Sequence, residues 1–177
     1  MKSPQLLEEF IDSSLFLGMH NQDESVRIAS KNFFISRFER TVGMSLEHVG
    51  KCDDVIWQCS RELQDVYYPF MDRLHSDMHI VRMPYNEAEL RCALEDPRLA
   101  AVPLYNRLVL AMVLNREAVL YTADPASWSR LNLPVRKPEG LAISRLGKEA
   151  KFSPILEALY QQSLRLRLTG EMIGGAG

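Results

Sequence analysis

Residues 104–128, LYNRLVLAMVLNREAVLYTADPASW, constrain the fold more than any other stretch of the chain. The first half, 104–115, is apolar nearly all round, with Asn106 and Arg107 the strongly polar residues of its first turns. A helix without a polar face has to be buried on all sides. Glu117 ends it, and 118–122 is a short apolar, partly β-branched run of the kind that forms a strand covered on both faces. At the carboxyl end of that run stand Thr122, Asp124 and Pro125, where the chain must turn. A buried helix feeding a buried strand is one half of an open α/β sheet. In such sheets chemistry sits beyond the carboxyl ends of the strands.

The rest of the chain repeats the alternation. Strands are predicted near 7–12, 41–45, 79–83, 118–122 and 131–135, the last confined to a sheet edge by Pro134. Between them helices are predicted over 23–39, 46–60, 61–75 and 87–94. In the first, Val26, Ala29 and Phe33 form the apolar face, and Arg27, Lys31 and Arg37 point outward. In the second, Leu46, Val49, Ile56 and Cys59 are spaced for burial. Pro69 kinks or divides the third. Asn86 and Glu89 have capping-box spacing at the start of the fourth. Residues 127–131 read as a helical turn and 136–147 as a loop. A last amphipathic helix spans 152–168, with Phe152, Ile155, Leu156, Leu159, Tyr160 and Ser163 on one face, and a Gly-rich end that should fray. Strands alternating with helices mean a mostly parallel sheet with right-handed crossovers.

Composition narrows the classes further. With 177 residues the prior favours one domain with a full core. The formal net charge of −2 gives no global basic field, so nucleic acid could be held only by a local patch. Cys52, Cys59 and Cys92 have no CxxC spacing, and Cys52 and Cys59, seven apart on one helix face, read as core residues. No signal peptide and no bilayer-length apolar run is visible, and a reducing cytoplasmic compartment is the default expectation.

Three acids fall at strand ends: Asp12, Glu47 and Asp124, with Asn106 at the start of the buried helix. The segments that carry them, FIDSSLFL, TVGMSLEHV and NRLVLAMVLNREAVLYTADPASW, resemble those of the PIN-domain family in order and spacing. The resemblance runs from about Phe10 to Val135. It implies a three-layer α/β/α PIN-like domain over 1–135, with 136–177 a loop and helical extension that either packs on that domain or forms a dimer contact.

The resemblance also implies an activity. Many PIN-like domains are Mg²⁺- or Mn²⁺-dependent ribonucleases, and the family roles fall on Asp12, Glu47 and Asp124 as metal ligands. Clustered carboxylates repel one another unless a divalent cation neutralises them, and hard oxygens suit Mg²⁺ or Mn²⁺. This sequence departs from the pattern at Asn106, where the family has a third acid. An amide can ligate through its carbonyl oxygen but brings no charge, and Asp96 could compensate only if its loop folded back. Ser13, Thr122, His48 and Arg107 flank these positions as candidate substrate contacts. Arg107 would meet a phosphate or other anion, pair with Glu47 or cap a carbonyl. His48 reads more readily as a surface histidine, or as one that supports a ligand from behind, than as a ligand itself. Tyr105 and Trp128 could stack on a base, though rim or core positions suit them better.

The implied partners are RNA or a small anionic substrate, a second copy of the chain in a homodimer, and an antitoxin if the protein is of toxin–antitoxin type. Two further readings stay open. One is a PIN-like enzyme acting on a small molecule in biosynthesis. The other is a binding module that kept the fold and lost the chemistry.

Overall fold

The computed structural model describes residues 6–124, 126, 132–140 and 148–174. Its centre is a parallel sheet of five strands: β1 (Glu9–Ile11), β2 (Thr41–Ser45), β3 (His79–Met83), β4 (Val119–Tyr121) and β5 (Val135–Arg136). The spatial order is β3-β2-β1-β4-β5, so the chain winds outward from β1 in one direction and then returns to its other side. The switch point lies between β1 and β4, where Phe10 pairs with Leu120 and Ile11 with Tyr121.

Alternation along these short strands divides the interior into two cores. Ile11 and Tyr121 join Val42 and Met44 on one face, under α1 (Ser13–Gly18), α2 (Glu24–Ser36), α3 (Leu46–Trp57) and α4 (Arg61–Asp77). Phe10 and Leu120 point the other way, into α5 (Glu87–Glu95) and α6 (Leu104–Asn115). The three layers, α/β/α, follow from that division. At the middle of β2 the sheet has no room for a side chain. A Cβ on Gly43 would stand 2.5 Å from Phe10 Cε1 and 2.6 Å from Leu7 Cδ2.

Local signals explain most boundaries. Asp23, Ser45 and Asn86 accept backbone N–H groups at the starts of α2, α3 and α5, and Asn86 and Glu89 complete a reciprocal capping box. The apolar α6 is buried from Val109 to Val113, and Glu117 takes a left-handed φ of 54° to turn the chain into β4. Pro69 does not divide α4, which continues through it to Asp77. Leu46, at the first position of α3, is half exposed rather than buried.

One expectation for the 23–39 segment fails. Arg27, Lys31 and Arg37 are buried, not solvent-facing. The helix that carries Arg27 and Lys31 is covered on a second side by the C-terminal extension, which supplies the counter-charges of those two residues. Glu149 accepts from Arg27 at 2.8 Å and from Lys31 at 3.0 Å, and Glu157 accepts from Lys31 at 2.9 Å. Arg37 pairs with Glu9 at 3.0 Å and lies over the Phe33 ring.

The extension itself is not one long helix. The helix α7 (Pro154–Ser163) packs on α4 with Ile155 exposed, Phe152 buried ahead of it and Tyr160 buried within it. After Ser163 the period changes from helical to alternating: Leu166 and Leu168 are buried while Arg165 and Arg167 are exposed. Leu168 then exchanges backbone hydrogen bonds with His20 and Gln22, at 2.8 and 2.7 Å, before α8 (Gly170–Gly174). The predicted turn at 127–131, Trp128 included, lies outside the described residues, as do 141–147 of the predicted loop and the last three residues, 175–177.

Candidate functional site

The carboxyl edge of the sheet, at the switch point, gathers the residues singled out in the sequence. Asp12 follows β1 directly and caps α1. Its Oδ1 accepts the Leu15 N–H at 3.0 Å and the Ser14 hydroxyl at 2.7 Å. The carboxylate is buried, and Oδ2 takes no hydrogen bond or ion pair among the described residues. Oδ2 is not among the side-chain atoms closed off from solvent, so this side of the carboxylate opens outward, and no described cation pairs with it.

Ser14 joins Asp12 to the next strand. Its Oγ donates to Asp12, accepts the Ala123 N–H at 3.0 Å and meets Thr122 Oγ1 at 3.0 Å. The Asp124 N–H in turn donates to Thr122 Oγ1 at 3.1 Å, and Asp124 Oδ1 accepts from Ala126 N at 3.1 Å. Asp12 and Asp124 thus stand at the two ends of one hydroxyl chain that crosses from β1 to β4. Thr122 is fully buried within that chain, and Asp124 is half exposed at its end.

On the other side of Asp12 stands α3. Its capping residue, Ser45, accepts the His48 N–H at 3.2 Å. The His48 ring is buried, and its Nδ1 accepts the Ser13 N–H at 3.0 Å, with Ser13 Oγ also at 3.0 Å. Because Nδ1 accepts a backbone N–H, the neutral ring carries its proton on Nε2. That atom is buried without a hydrogen-bond partner among the described residues. Burial pushes the His48 pKa below its ordinary value; Asp12 and Glu47 act against that push and Lys51 adds to it. One ring thus feels the charges from both sides of the edge. Cys52, one turn further on, is buried, and burial with Asp12 nearby holds its thiol well above the usual range.

Glu47 is not open. Its Oε1 is paired with Lys51 at 3.1 Å, and its Oε2 accepts the Tyr85 hydroxyl at 2.5 Å. Tyr85 lies just past β3, also 3.1 Å from Ser45 Oγ, and burial together with Glu47 raises its pKa strongly. Lys51 reaches further, donating to the Tyr105 carbonyl of α6 at 3.3 Å. That contact brings the start of α6, and with it Asn106, to the α3 side of the edge. The Asn106 amide is half-buried and takes no hydrogen bond among the described residues.

The two remaining candidates serve the loop before α6. Arg107 donates to the carbonyls of Val102 and Ala100, at 2.7 and 3.0 Å, the carbonyl-capping alternative read from sequence. Asp96 does not fold back to replace a missing acid. It caps the 3-10 turn Pro97–Leu99 and is clasped by Arg98, whose hydrogen bonds hold its pKa at about 2.

As arranged, no three His, Cys, Asp or Glu side chains among the described residues stand close enough to share an ion. Glu47 has both oxygens engaged, Oε1 by Lys51 and Oε2 by Tyr85. The oxygens present nonetheless suit a hard cation in kind, and the open Oδ2 of buried Asp12 is where one would be drawn. Sequence reasoning placed Asp12, Glu47, Asn106 and Asp124 at this edge and missed Ser14, Lys51 and Tyr85. Lys51 was visible as the residue one helical turn beyond Glu47, and Tyr85 as the aromatic beyond the end of β3.

A cavity of about 670 Å³ opens at the opposite, amino end of the sheet, lined by Glu8, Glu9, Glu39, Arg40 and His79 among others. It lies away from the strand ends where open sheets place their chemistry.

Residues 1–173 match the model of a family described as "Family of unknown function (DUF6190)". No curated protein matches the chain. Among solved structures the chain is similar to the protein titled "Crystal structure of PAE2754 from Pyrobaculum aerophilum". The TM-score is 0.52 and the identity 14%, over 80% of this chain and 90% of that one. At that identity the likeness concerns the fold.

Proposed function

The chain belongs to DUF6190, a family of unknown function, and from its own site we propose that it is a PIN-like, metal-dependent hydrolase of phosphodiester bonds, with RNA as substrate class. The observation that carries the proposal is Asp12: a buried carboxylate at the switch point of a parallel sheet, one oxygen committed to Ser14 and Leu15 and the other facing no described partner. The sequence resemblance supports the same reading, since it puts a metal-binding acid at this position.

Asp12 would hold Mg²⁺ or Mn²⁺ through Oδ2, with Asp124 across the hydroxyl chain and Asn106 giving a neutral amide oxygen. When bound, such an ion supplies a neutralising charge and an acidified water for phosphodiester hydrolysis. The chain's own part is orientation. Ser14 and Thr122 fix Asp12 relative to Asp124, and His48 fixes the Ser13 backbone that follows Asp12. The three free cysteines and the lack of a helix long and apolar enough to cross a membrane, among the described residues, are consistent with a cytoplasmic place of action.

The test is cleavage of a structured RNA in Mg²⁺ and in Mn²⁺ by wild type and by Asp12→Asn. Cleavage that needs both the ion and Asp12 supports the proposal. No cleavage by wild type in either ion, or equal cleavage by the variant, overturns it. One observation favours a second reading, a PIN-like enzyme for a small anionic molecule: Lys51 and Asn106 leave the edge less negative than three free acids and a fourth would make it.

A further inference from the structure

We infer that Lys51 is a built-in competitor for the cation site, an ammonium that holds Glu47 and sets how tightly a divalent ion can bind. The inference rests on the metal-dependent reading above and concerns a residue that reading does not require.

An i, i+4 Glu–Lys pair on a helix is ordinary and contributes little to stability. This one differs in what else it touches. Lys51 Nζ lies 3.1 Å from Glu47 Oε1 and 3.3 Å from the carbonyl of Tyr105, fifty-four residues away and next to Asn106. The ammonium therefore ties α3 to the start of α6 at the sheet edge. It uses two oxygens, one carboxylate and one carbonyl, of the kind that would ligate a hard cation. With Tyr85 on Oε2, Glu47 has both oxygens taken, while Asp12 has one open.

Charge runs in the same direction. The position that could add an acid is Asn106, and the cation that reaches over to its neighbour is Lys51. The edge is thus nearer neutrality without any ion than its acids alone imply. An incoming divalent ion has to displace Lys51 to recruit Glu47. Lys51 is about a third exposed and can swing away without leaving a buried hole. Its removal frees Oε1 and raises the negative charge by one unit. Both changes favour a divalent cation.

The experiment is direct titration of Mn²⁺ alone into wild type, Lys51→Met, Lys51→Gln and Lys51→Met/Glu47→Gln, by calorimetry or by the spin-resonance signal of free Mn²⁺. Circular dichroism and thermal melts check that each variant is folded. Lys51→Met and Lys51→Gln are expected to bind Mn²⁺ at least tenfold more tightly than wild type, and Glu47→Gln in the Lys51→Met background is expected to remove the gain. Measurable binding by wild type that Lys51→Met leaves unchanged overturns the role of Lys51 and spares the metal site. A gain that survives Glu47→Gln overturns it as well, because the ammonium would then act only through general charge. No binding by any folded variant overturns both the role of Lys51 and the metal-dependent function.

Discussion

The His48 ring accepts the backbone N–H of Ser13 at 3.0 Å, so the residue next to Glu47 holds the backbone next to Asp12. The bond spans two strands' helix starts and is buried. His48→Ala leaves the Ser13 N–H without this acceptor and is expected to destabilise the fold by about 1–3 kcal/mol. Chemical denaturation of the two proteins measures it. His48→Asn, which retains an acceptor, should fall between them.

Asp12→Asn should behave in the opposite sense. An amide caps a helix as well as a carboxylate does, and the substitution removes a buried charge for which no described residue provides a partner. Thermal unfolding should show stability unchanged or raised by up to about 1 kcal/mol, the trade expected where a group is kept for function rather than for folding. A marked loss of stability would instead make Asp12 a structural residue.

Acid should destabilise the protein through His20. This ring is fully buried, its Nε2 is 2.7 Å from Ser163 Oγ, and Ser163 Oγ itself donates to the Tyr160 carbonyl at 2.6 Å. The hydroxyl proton is thus spent, so Nε2 carries the N–H and Nδ1 is the bare nitrogen, without a hydrogen-bond partner among the described residues. Burial, with Arg167 and Arg27 adding to it, lowers the His20 pKa to about 3. A folded-state pKa below the unfolded 6.5 means that the unfolded chain binds the extra proton. Stability is then complete above pH 6.5 and is lost as the pH falls toward about 3. The slope approaches about 1.4 kcal/mol per pH unit for this one group. Melting temperatures between pH 7 and pH 4.5 should fall for wild type and fall less steeply for His20→Gln.

Lys31 offers a test of the extension. It is buried between Glu149 and Glu157 and lies over the Tyr160 ring. Lys31→Ala removes the cation and the stem that packs beside it, and about 3–5 kcal/mol is expected to be lost. Lys31→Met keeps the stem and should lose less. Hydrogen exchange should rise in both variants along Pro154–Ser163, the helix that Glu157 belongs to.

The sheet was legible because its strands are apolar, short and separated by helices with recognisable caps. Thr41–Ser45 and His79–Met83 are found where alternation put them, and the capping box at Asn86 and Glu89 forms as spaced. Periodicity failed where a helix has two buried sides. It marks one apolar face of α2 and cannot foresee that Arg27 and Lys31 meet acids some 120 residues later. It also could not see Leu166 and Leu168 leave the helical period, because leucine at i and i+2 fits the end of a helix almost as well as an extended segment. At the site, acids at strand ends are visible from spacing alone. Which of them are already satisfied is not, since Tyr85 and Lys51 reach Glu47 from side chains that carry no motif.

The backbone exchange between Leu168 and the residues His20 and Gln22 has a reach beyond its position. The six-residue α1 begins at its cap Asp12 and ends one residue before Met19, so a tether at its exit also steadies its entrance nine ångströms or so of helix away, at about 1.5 Å per residue. Trimming the chain back past Leu168 would therefore be felt as slack at the carboxyl edge of the sheet.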